Sequence, residues 1–266
     1  MSDALAPRNG PSASFPYARR EPNGWDTLGE TQQSWSGAHA NFLSNLSSEE
    51  TDFLLAGATS IELAPRDMLF QAGDRSDNVF IVDSGCIKLF QLSPSGKETI
   101  LWFGFHGEIF GIAELWSGAD REICAMANET SRIYSISQAD FLGFLRMHPE
   151  VAMRAIGILA ARVRTLGMAL VDIATDDVET RLGRLLLRFA AISARAQCDY
   201  IQNDKEICIN IRLTHQDLAN LIGASRQTVT STLAVMRRNG VIKTLDQHIH
   251  IIQPEHLRRA VEPVSF

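Results

Sequence analysis

The chain predicts an α+β protein: an N-terminal antiparallel β-roll of jelly-roll type, a long dimerisation helix, and a C-terminal winged helix-turn-helix. Short apolar runs separated by turn residues fill the stretch from about Ile61 to Ser137, the pattern of an antiparallel barrel or roll. Apolar residues spaced alternately by four and three follow from Ala152 to Ile173, the period of a coiled-coil seam. Leu213 to Val229 then reads as a short helix, a glycine turn and the start of a second helix. The expected divisions are an N-terminal arm over 1–40, the roll over 41–148, the dimerisation helix over 149–176 and the winged helix-turn-helix over 177–266.

The first 38 or so residues are rich in Ser, Pro, Gly, Asn and Ala, with Trp25 and Trp35 as their large side chains, and read as a mobile arm. A short helical segment is expected between Asn41 and Ala58. Strands are expected at Asn78–Val82, Cys86–Phe90 and Glu98–Phe103, with turns at Asp83-Ser84-Gly85 and Ser93-Pro94-Ser95-Gly96. Pro149 suits the first position of the long helix. Its seam comprises Ala152, Ile156, Leu159, Val163, Leu166, Leu170 and Ile173, a stripe narrow enough to meet its own copy in a parallel pair. Thr175-Asp176-Asp177 interrupts that pattern and marks a hinge, with Asp177 or its neighbour capping the next helix, from Val178 to about Ala194.

In the C-terminal part Thr214 and Asp217 have capping-box spacing, Leu218, Leu221 and Ile222 share an apolar face, and Gly223 supplies a left-handed stop. Ser225 caps the second helix and leaves Arg226, Gln227 and Thr228 in its first turn. In a helix-turn-helix that turn meets base edges. Val229, Leu233, Val235 and Met236 supply the buried side, Arg237-Arg238-Asn239-Gly240 ends the helix, and Val241 to Ile251 reads as a two-stranded wing. An ordinary helical hairpin would favour Glu, Lys and Ala on its exposed face, whereas this one carries Arg, Gln, Thr and Ser.

The composition fits this division. The net charge is −6, yet from Lys205 to the end eight basic side chains face five acidic ones, so the acidic excess lies in the remainder. Phosphate attraction follows the local patch rather than the sum. No apolar run approaches the ~18 residues that a membrane span requires, and the N-terminus lacks the order of a secretory leader. Cys86, Cys124, Cys198 and Cys208 are scattered without a CxxC pair, which predicts reduced thiols, a cytoplasmic setting and no zinc or cluster site of cysteine type. There is no Ser/His/Asp set, phosphate-binding glycine loop or metal-spaced His/Cys group, so neither an enzyme nor a resident metal is expected.

The order of roll, long helix, hinge and winged helix-turn-helix resembles the Crp/Fnr family of bacterial transcription regulators over residues 42 to 253. The resemblance is most specific at Gly223-Ala224-Ser225-Arg226-Gln227-Thr228-Val229, at Phe70-Gln71-Ala72-Gly73-Asp74 with Ser84-Gly85-Cys86-Ile87-Lys88-Leu89, and at Gly107-Glu108-Ile109-Phe110-Gly111. It implies a homodimer on double-stranded DNA, with two recognition helices in successive major grooves, and RNA polymerase as a further partner. The family's base-reading positions fall on Arg226, Gln227 and Ser231. Many members carry Glu where Gln227 stands and Arg where Ser231 stands. By the same matching His215, Gln216, Ser225 and Thr228 hold phosphates, and Arg212 and Lys243 join them on charge alone.

The resemblance places an effector pocket at Phe110, Gly111, Ile112, Ala113, Arg121 and Arg162. Cyclic-AMP-binding members have Glu where Ile112 stands, a small residue where Glu122 follows Arg121, and Thr-Ser where Leu166-Gly167 stands. These departures imply an effector other than cyclic AMP, or none. The family's 2-oxoglutarate-binding members also lack the ribose Glu and place an Arg at the position of Arg162, so Arg121 and Arg162 could clamp a small anion through forked donors; the helix Glu of those members is Gly167 here. The iron–sulfur reading fails because the first cysteine is Cys86, and the available haem ligand, His106, reads first as loop surface. Cyclic-nucleotide or haem response, or a dimerisation module without DNA, are the alternatives.

Overall fold

The computed structural model describes residues 41–193 and 206–261. The arm expected over 1–40 and the thiol of Cys198 lie outside these described residues. A 3₁₀ turn at Leu43–Asn45 leads into α1 (Ser48–Leu55), where Ser47 and Glu50 form a capping box.

The roll follows as β1 (Thr59–Leu63), β2 (Met68–Phe70), β3 (Asn78–Ser84), β4 (Ile87–Leu92), β5 (Glu98–Gly104), β6 (Ile109–Phe110), β7 (Cys124–Ala127) and β8 (Ser131–Ser137). Two antiparallel four-stranded sheets, ordered β1-β8-β3-β6 and β2-β7-β4-β5, enclose one core in which Phe70, Phe80, Val82, Ile87, Leu89, Phe110 and Ile133 meet. The β3–β4 turn needs glycine: Gly85 has φ +85° and a Cβ there would lie 2.3 Å from Ser131 Oγ. Ser131 Oγ instead accepts a hydrogen bond from the Cys86 amide at 3.0 Å.

Helix α2 (Gln138–Met147) closes the roll and turns at His148 into α3 (Pro149–Thr175). Ten residues long, α2 buries Phe141, Phe144 and Leu145 on one side, and its mix of Leu142 and Met147 with these blurs the helical period in the sequence. Helix α3, with 27 residues, is about 40 Å long at 1.5 Å per residue. It carries two neighbouring apolar faces. Val151, Ala155 and Ile158 are buried in the roll's second core, while Met153, Ile156, Val163, Leu166, Leu170, Val171 and Ile173 are exposed in the single chain. Ala152 and Leu159 pack partly against the roll core, because the first half of the helix must cover its own domain.

Asp176 breaks the helix with an extended backbone and Asp177 caps α4 (Val178–Ser193) by accepting from the Thr180 amide at 2.8 Å. The junction is tied by ion pairs: Arg184 bridges Asp172, at 2.6 Å, and Asp176, and Arg188 reaches Asp172 at 3.0 Å. The head continues with β9 (Ile207–Ile209), α5 (His215–Ile222), α6 (Arg226–Arg238), β10 (Ile242–Leu245), β11 (His248–Ile251) and α7 (Pro254–Val261). The wing is the expected hairpin, with Asp246 and Gln247 both at positive φ as a two-residue primed turn requires. Strand β9 pairs with β11 and makes a three-stranded sheet.

The head rests on its own roll. Phe90, Ile100 and Phe103 from β4 and β5 join Leu182, Leu186, Phe189 and Leu218 of the head in one buried cluster, and Phe103 meets Phe189 edge-on at 6.1 Å between ring centroids. Beside this contact Lys88, only 6% exposed, reaches Glu98 at 2.9 Å and Asp217 of α5 at 3.7 Å. Phe103→Ala should lower stability by about 3–5 kcal/mol, read as a lower denaturation midpoint in urea, with the head losing its protection from proteolysis before the roll does.

Candidate nucleic-acid interface

Each residue of the reading turn is placed by a local rule. Thr214 Oγ1 accepts from the Asp217 amide at 3.0 Å and Asp217 Oδ2 accepts from the Thr214 amide at 2.9 Å, so the capping box is complete. Gly223 sits at φ 65°, ψ 37° and ends α5. Arg181 of α4 donates to the Ile222 carbonyl at 2.8 Å, which fixes the turn to the hinge helix. Ser225 Oγ accepts from the Thr228 amide at 3.0 Å and opens α6. Val229, Leu233 and Met236 bury one side of that helix, while Arg226, Gln227, Thr228 and Ser231 are exposed. With no acid in its first turn, the N-terminus keeps its partial positive charge for an anion.

Helix α6 also engages its own hydroxyls. Thr230 Oγ1 donates to the Arg226 carbonyl at 2.8 Å, and Ser231 Oγ and Thr232 Oγ1 donate to the Thr228 carbonyl at 2.8 and 2.9 Å. With its proton engaged, Ser231 offers solvent an acceptor. His215 Nδ1 then donates to Thr230 Oγ1 at 2.8 Å, which assigns the Nδ1–H tautomer. Burial, reinforced by Arg237 and Arg226, holds the His215 pKa below its usual value. The ring fastens α5 to α6 through Nδ1.

The other phosphate candidates divide. Ser225 and Thr228 stand at the exposed start of α6. Gln216 Nε2 donates to Asn220 Oδ1 at 2.8 Å, and Asn220 Nδ2 donates to Glu98 of the roll at 3.0 Å. Lys243 is held by Glu206 at 2.9 Å, and Glu206 also meets His250 Nδ1 at 2.6 Å. Arg212 is exposed and lines, with Arg226, Gln216, Arg66 and Lys97, a cleft of about 890 Å³ between head and roll. Sequence reasoning missed the Glu206 partner of Lys243, because Glu206 precedes a strand, β9, that the short Ile207-Cys208-Ile209 run did not announce.

In the sensor region Arg121 is 3% exposed and engaged through both terminal nitrogens, while its buried Nε makes no hydrogen bond. Nη1 donates to the Gly111 carbonyl at 3.0 Å and to Glu114 Oε2 at 3.1 Å, Nη2 donates to the Asn78 carbonyl, and the guanidinium lies 4.6 Å from the Phe70 ring centroid. Phe110 and Ile112 are buried, Ala113 and Glu122 are exposed. Glu122 thus does not face Arg121; the carboxylate that does is Glu114, whose loop position gives no periodic signal. Arg162 makes different contacts. It donates to the Ile109 carbonyl at 2.5 Å, stacks 5.0 Å from the Trp102 ring, and lies 3.9 Å from Glu108. Burial pushes the Glu108 carboxyl up to about 8, with Arg162 opposing the shift.

The sequence comparisons agree with this architecture. Residues 60–148 match the model of the cyclic nucleotide-binding domain and residues 180–260 that of the Crp-like helix-turn-helix domain. The chain belongs to the Crp/Fnr family of transcription regulators, whose helix-turn-helix binds DNA. It is 27% identical over 191 residues to the CRP-like cAMP-activated global transcriptional regulator of Mycobacterium tuberculosis (strain ATCC 25618 / H37Rv), covering 72% of this chain and 83% of that protein. It is 28% identical over 189 residues to the Global nitrogen regulator of Synechococcus elongatus (strain ATCC 33912 / PCC 7942 / FACHB-805), covering 70% and 82%. The fold is shared with a CooA mutant from Carboxydothermus hydrogenoformans (TM-score 0.68, 18% identity, 87% of this chain and 99% of that one) and with the c-di-GMP responsive regulator CLP of Xanthomonas campestris (TM-score 0.65, 18% identity, 77% and 99%). Among the described residues no helix is long and apolar enough to cross a membrane.

Glu108 gives a pH signature. The folded chain keeps this proton up to about pH 8, whereas the unfolded chain releases it near the ordinary carboxylate value. The native state therefore binds the extra proton between those limits, and this group makes stability fall as pH rises through them. Glu108→Gln should flatten that fall, measured as urea midpoints from pH 5 to 9; an unchanged slope would locate the titrating group elsewhere.

Proposed function

We propose that the protein is a homodimeric, sequence-specific transcription regulator that reads a palindromic site with α6 and responds to an effector other than cyclic AMP, or to none. The observation that carries the reading is the first half of α6. Arg226, Gln227, Thr228 and Ser231 are exposed on a helix whose opposite side is buried, and the helix start attracts phosphate. Arg suits bidentate contact with guanine and Gln with adenine. Dimerisation is supported by the exposed apolar face of α3 from Ile156 to Ile173, which continues past the part of the helix that the roll covers. Two parallel copies would set their heads about one helical turn of DNA apart, roughly 34 Å. RNA polymerase is the further partner expected of such a regulator.

The reading against cyclic AMP rests on three positions. Ile112 is buried where a ribose-binding carboxylate would be needed, Glu114 already occupies Arg121, and Leu166-Gly167 offers α3 no hydroxyl. An entering phosphate would have to displace Glu114 from Arg121 in a region of low dielectric. A dicarboxylate such as 2-oxoglutarate would also have to draw Arg162 from the Ile109 carbonyl. The names of the relatives, cAMP-activated in one case and nitrogen-regulating in the other, keep both ligands in the test. Calorimetric titration of the full chain with cyclic AMP and with 2-oxoglutarate should show no heat from the first; saturable cyclic AMP binding would overturn this reading.

On a palindromic promoter fragment, Arg226→Ala should cost about 1–3 kcal/mol per half-site, read by fluorescence anisotropy at fixed salt, with binding to unrelated DNA little changed. Val163→Glu combined with Leu170→Glu should turn the dimer into a monomer in sedimentation velocity and remove palindrome binding with it.

A further inference from the structure

We propose that Glu50, His148 and Glu150 form a binding site for a divalent transition metal ion of the zinc class, which fastens α1 to the corner where the long helix begins. The sequence showed no metal-ligand spacing, since Glu50 stands almost a hundred residues before the other two; the fold brings them together. One ligand atom from each lies within 4.8 Å of the others.

The three donors lie at ion-pair distance from one another, and that spacing is also close to the edges of a coordination shell. His148 Nδ1 is 3.5 Å from Glu150 Oε1 and 3.8 Å from Glu50 Oε1. Both separations exceed hydrogen-bond length. Donor atoms bound to one tetrahedral ion at about 2.0–2.2 Å lie roughly 3.4 Å apart along each edge, so an ion seated between these three would need only small side-chain shifts. The donors are also held in place. Glu50 Oε2 accepts from the Ser47 amide at 2.6 Å, which leaves Oε1 turned towards His148. The imidazole packs on Phe144 with ring centroids 4.6 Å apart and on Phe53 at 6.2 Å. Pro149 occupies the first position of α3, so the backbone between His148 and Glu150 is fixed as well.

The chemistry selects the ion class. One imidazole nitrogen with two carboxylates suits zinc and its first-row neighbours, whereas calcium and magnesium take oxygen shells. Three protein ligands leave a fourth position for water. Glu50 is 16% exposed at its side chain, His148 30% and Glu150 53%, so the ion has a path from solvent. The two carboxylates bring two negative charges to the corner, and Arg154 beside Glu50 offsets part of them, so a divalent ion meets a net acidic site. Binding would cross-link the first helix to the base of the dimer helix and stabilise the folded chain by mass action.

The test uses the full chain, stripped of metal with a chelator. Titration with zinc chloride should show one-to-one binding in calorimetry and a rise in melting temperature. Cobalt(II) should give visible d–d bands without a thiolate charge-transfer band, which separates this site from any cysteine. Glu150→Gln, on the exposed side, should weaken zinc by at least about tenfold, His148→Ala should remove binding, and His106→Ala should leave it unchanged. Circular dichroism checks that each variant is folded, and Glu150→Gln keeps the test valid if loss of the His148 ring perturbs the corner. No zinc uptake at micromolar metal, or uptake unaffected by Glu150→Gln and His148→Ala, would overturn the proposal.

Discussion

Helix α3 must satisfy two apolar faces at once, and the architecture follows from how it does so. Its first half buries Val151, Ala155 and Ile158 in the roll. Its second half keeps Thr165 buried but leaves Val163, Leu166, Leu170 and Ile173 exposed in one chain. Covering what remains exposed of this stripe with a second copy would favour the proposed dimer. The same helix delivers its end to the reader: a Cβ on Gly223 would lie 3.5 Å from Ile173 Cδ1. The last residue of the apolar stripe thus lies against the turn that precedes α6, so in the proposed dimer a change in how the two long helices pack would reach the proposed base-reading residues directly.

The contact between head and roll has an unequal energetic make-up. Its apolar part, around Phe103 and Phe189, is lost outright when the head moves away. Its polar part behaves differently. Lys88 is buried with a bidentate reach to Glu98, at 2.9 and 3.1 Å, and lies 5.0 Å from the Phe90 ring centroid. Removing such charges from water costs several kcal/mol per ion, which their mutual attraction only offsets. On separation Lys88, Glu98 and Asp217 regain water, so the ion pairs add little to the barrier against opening. They set the register of docking, because a shifted head would leave Lys88 buried without its partners. Apolar surface supplies the affinity and the buried charges supply the alignment.

The helix-turn-helix was legible because it is built from short-range rules: a cap at Thr214, a left-handed Gly223, a cap at Ser225, and apolar residues at helical spacing. The roll was legible from its turns. The short elements were not. Strand β9 has three residues and α7 only eight, and α2 carries little periodic signal, so each depends on what lies across it. The seam was read with a seven-residue repeat, yet only packing against the roll could reveal that Ala152 and Leu159 serve the chain's own core. Long-range partners were least legible. Glu114 on Arg121, Glu206 on Lys243 and Glu98 on Asn220 are pairings that the topology makes, and no spacing along the chain encodes them.

Those pairings also change how the proposed base-reading code is understood. A second Arg where Ser231 stands would bring another forked donor to guanine. Ser231 instead engages its proton with the Thr228 carbonyl and presents an acceptor, which complements the amino group of adenine or cytosine. Arg226 is then the one forked cationic donor in the exposed first half of α6, Gln227 can give and accept, and Ser231 accepts. A half-site read this way contains one strongly fixed guanine beside positions held by single hydrogen bonds, each weaker than a bidentate pair. His215 fits the same economy. Its bond to Thr230 adds to the buried Val229, Leu233 and Met236 that set the face α6 presents, and a helix with fewer strong base contacts depends more on presenting them at a single angle. For the proposed dimer, the discrimination that base contacts leave out would come from DNA shape and from the spacing of two half-sites, which returns the burden of specificity to the long helix.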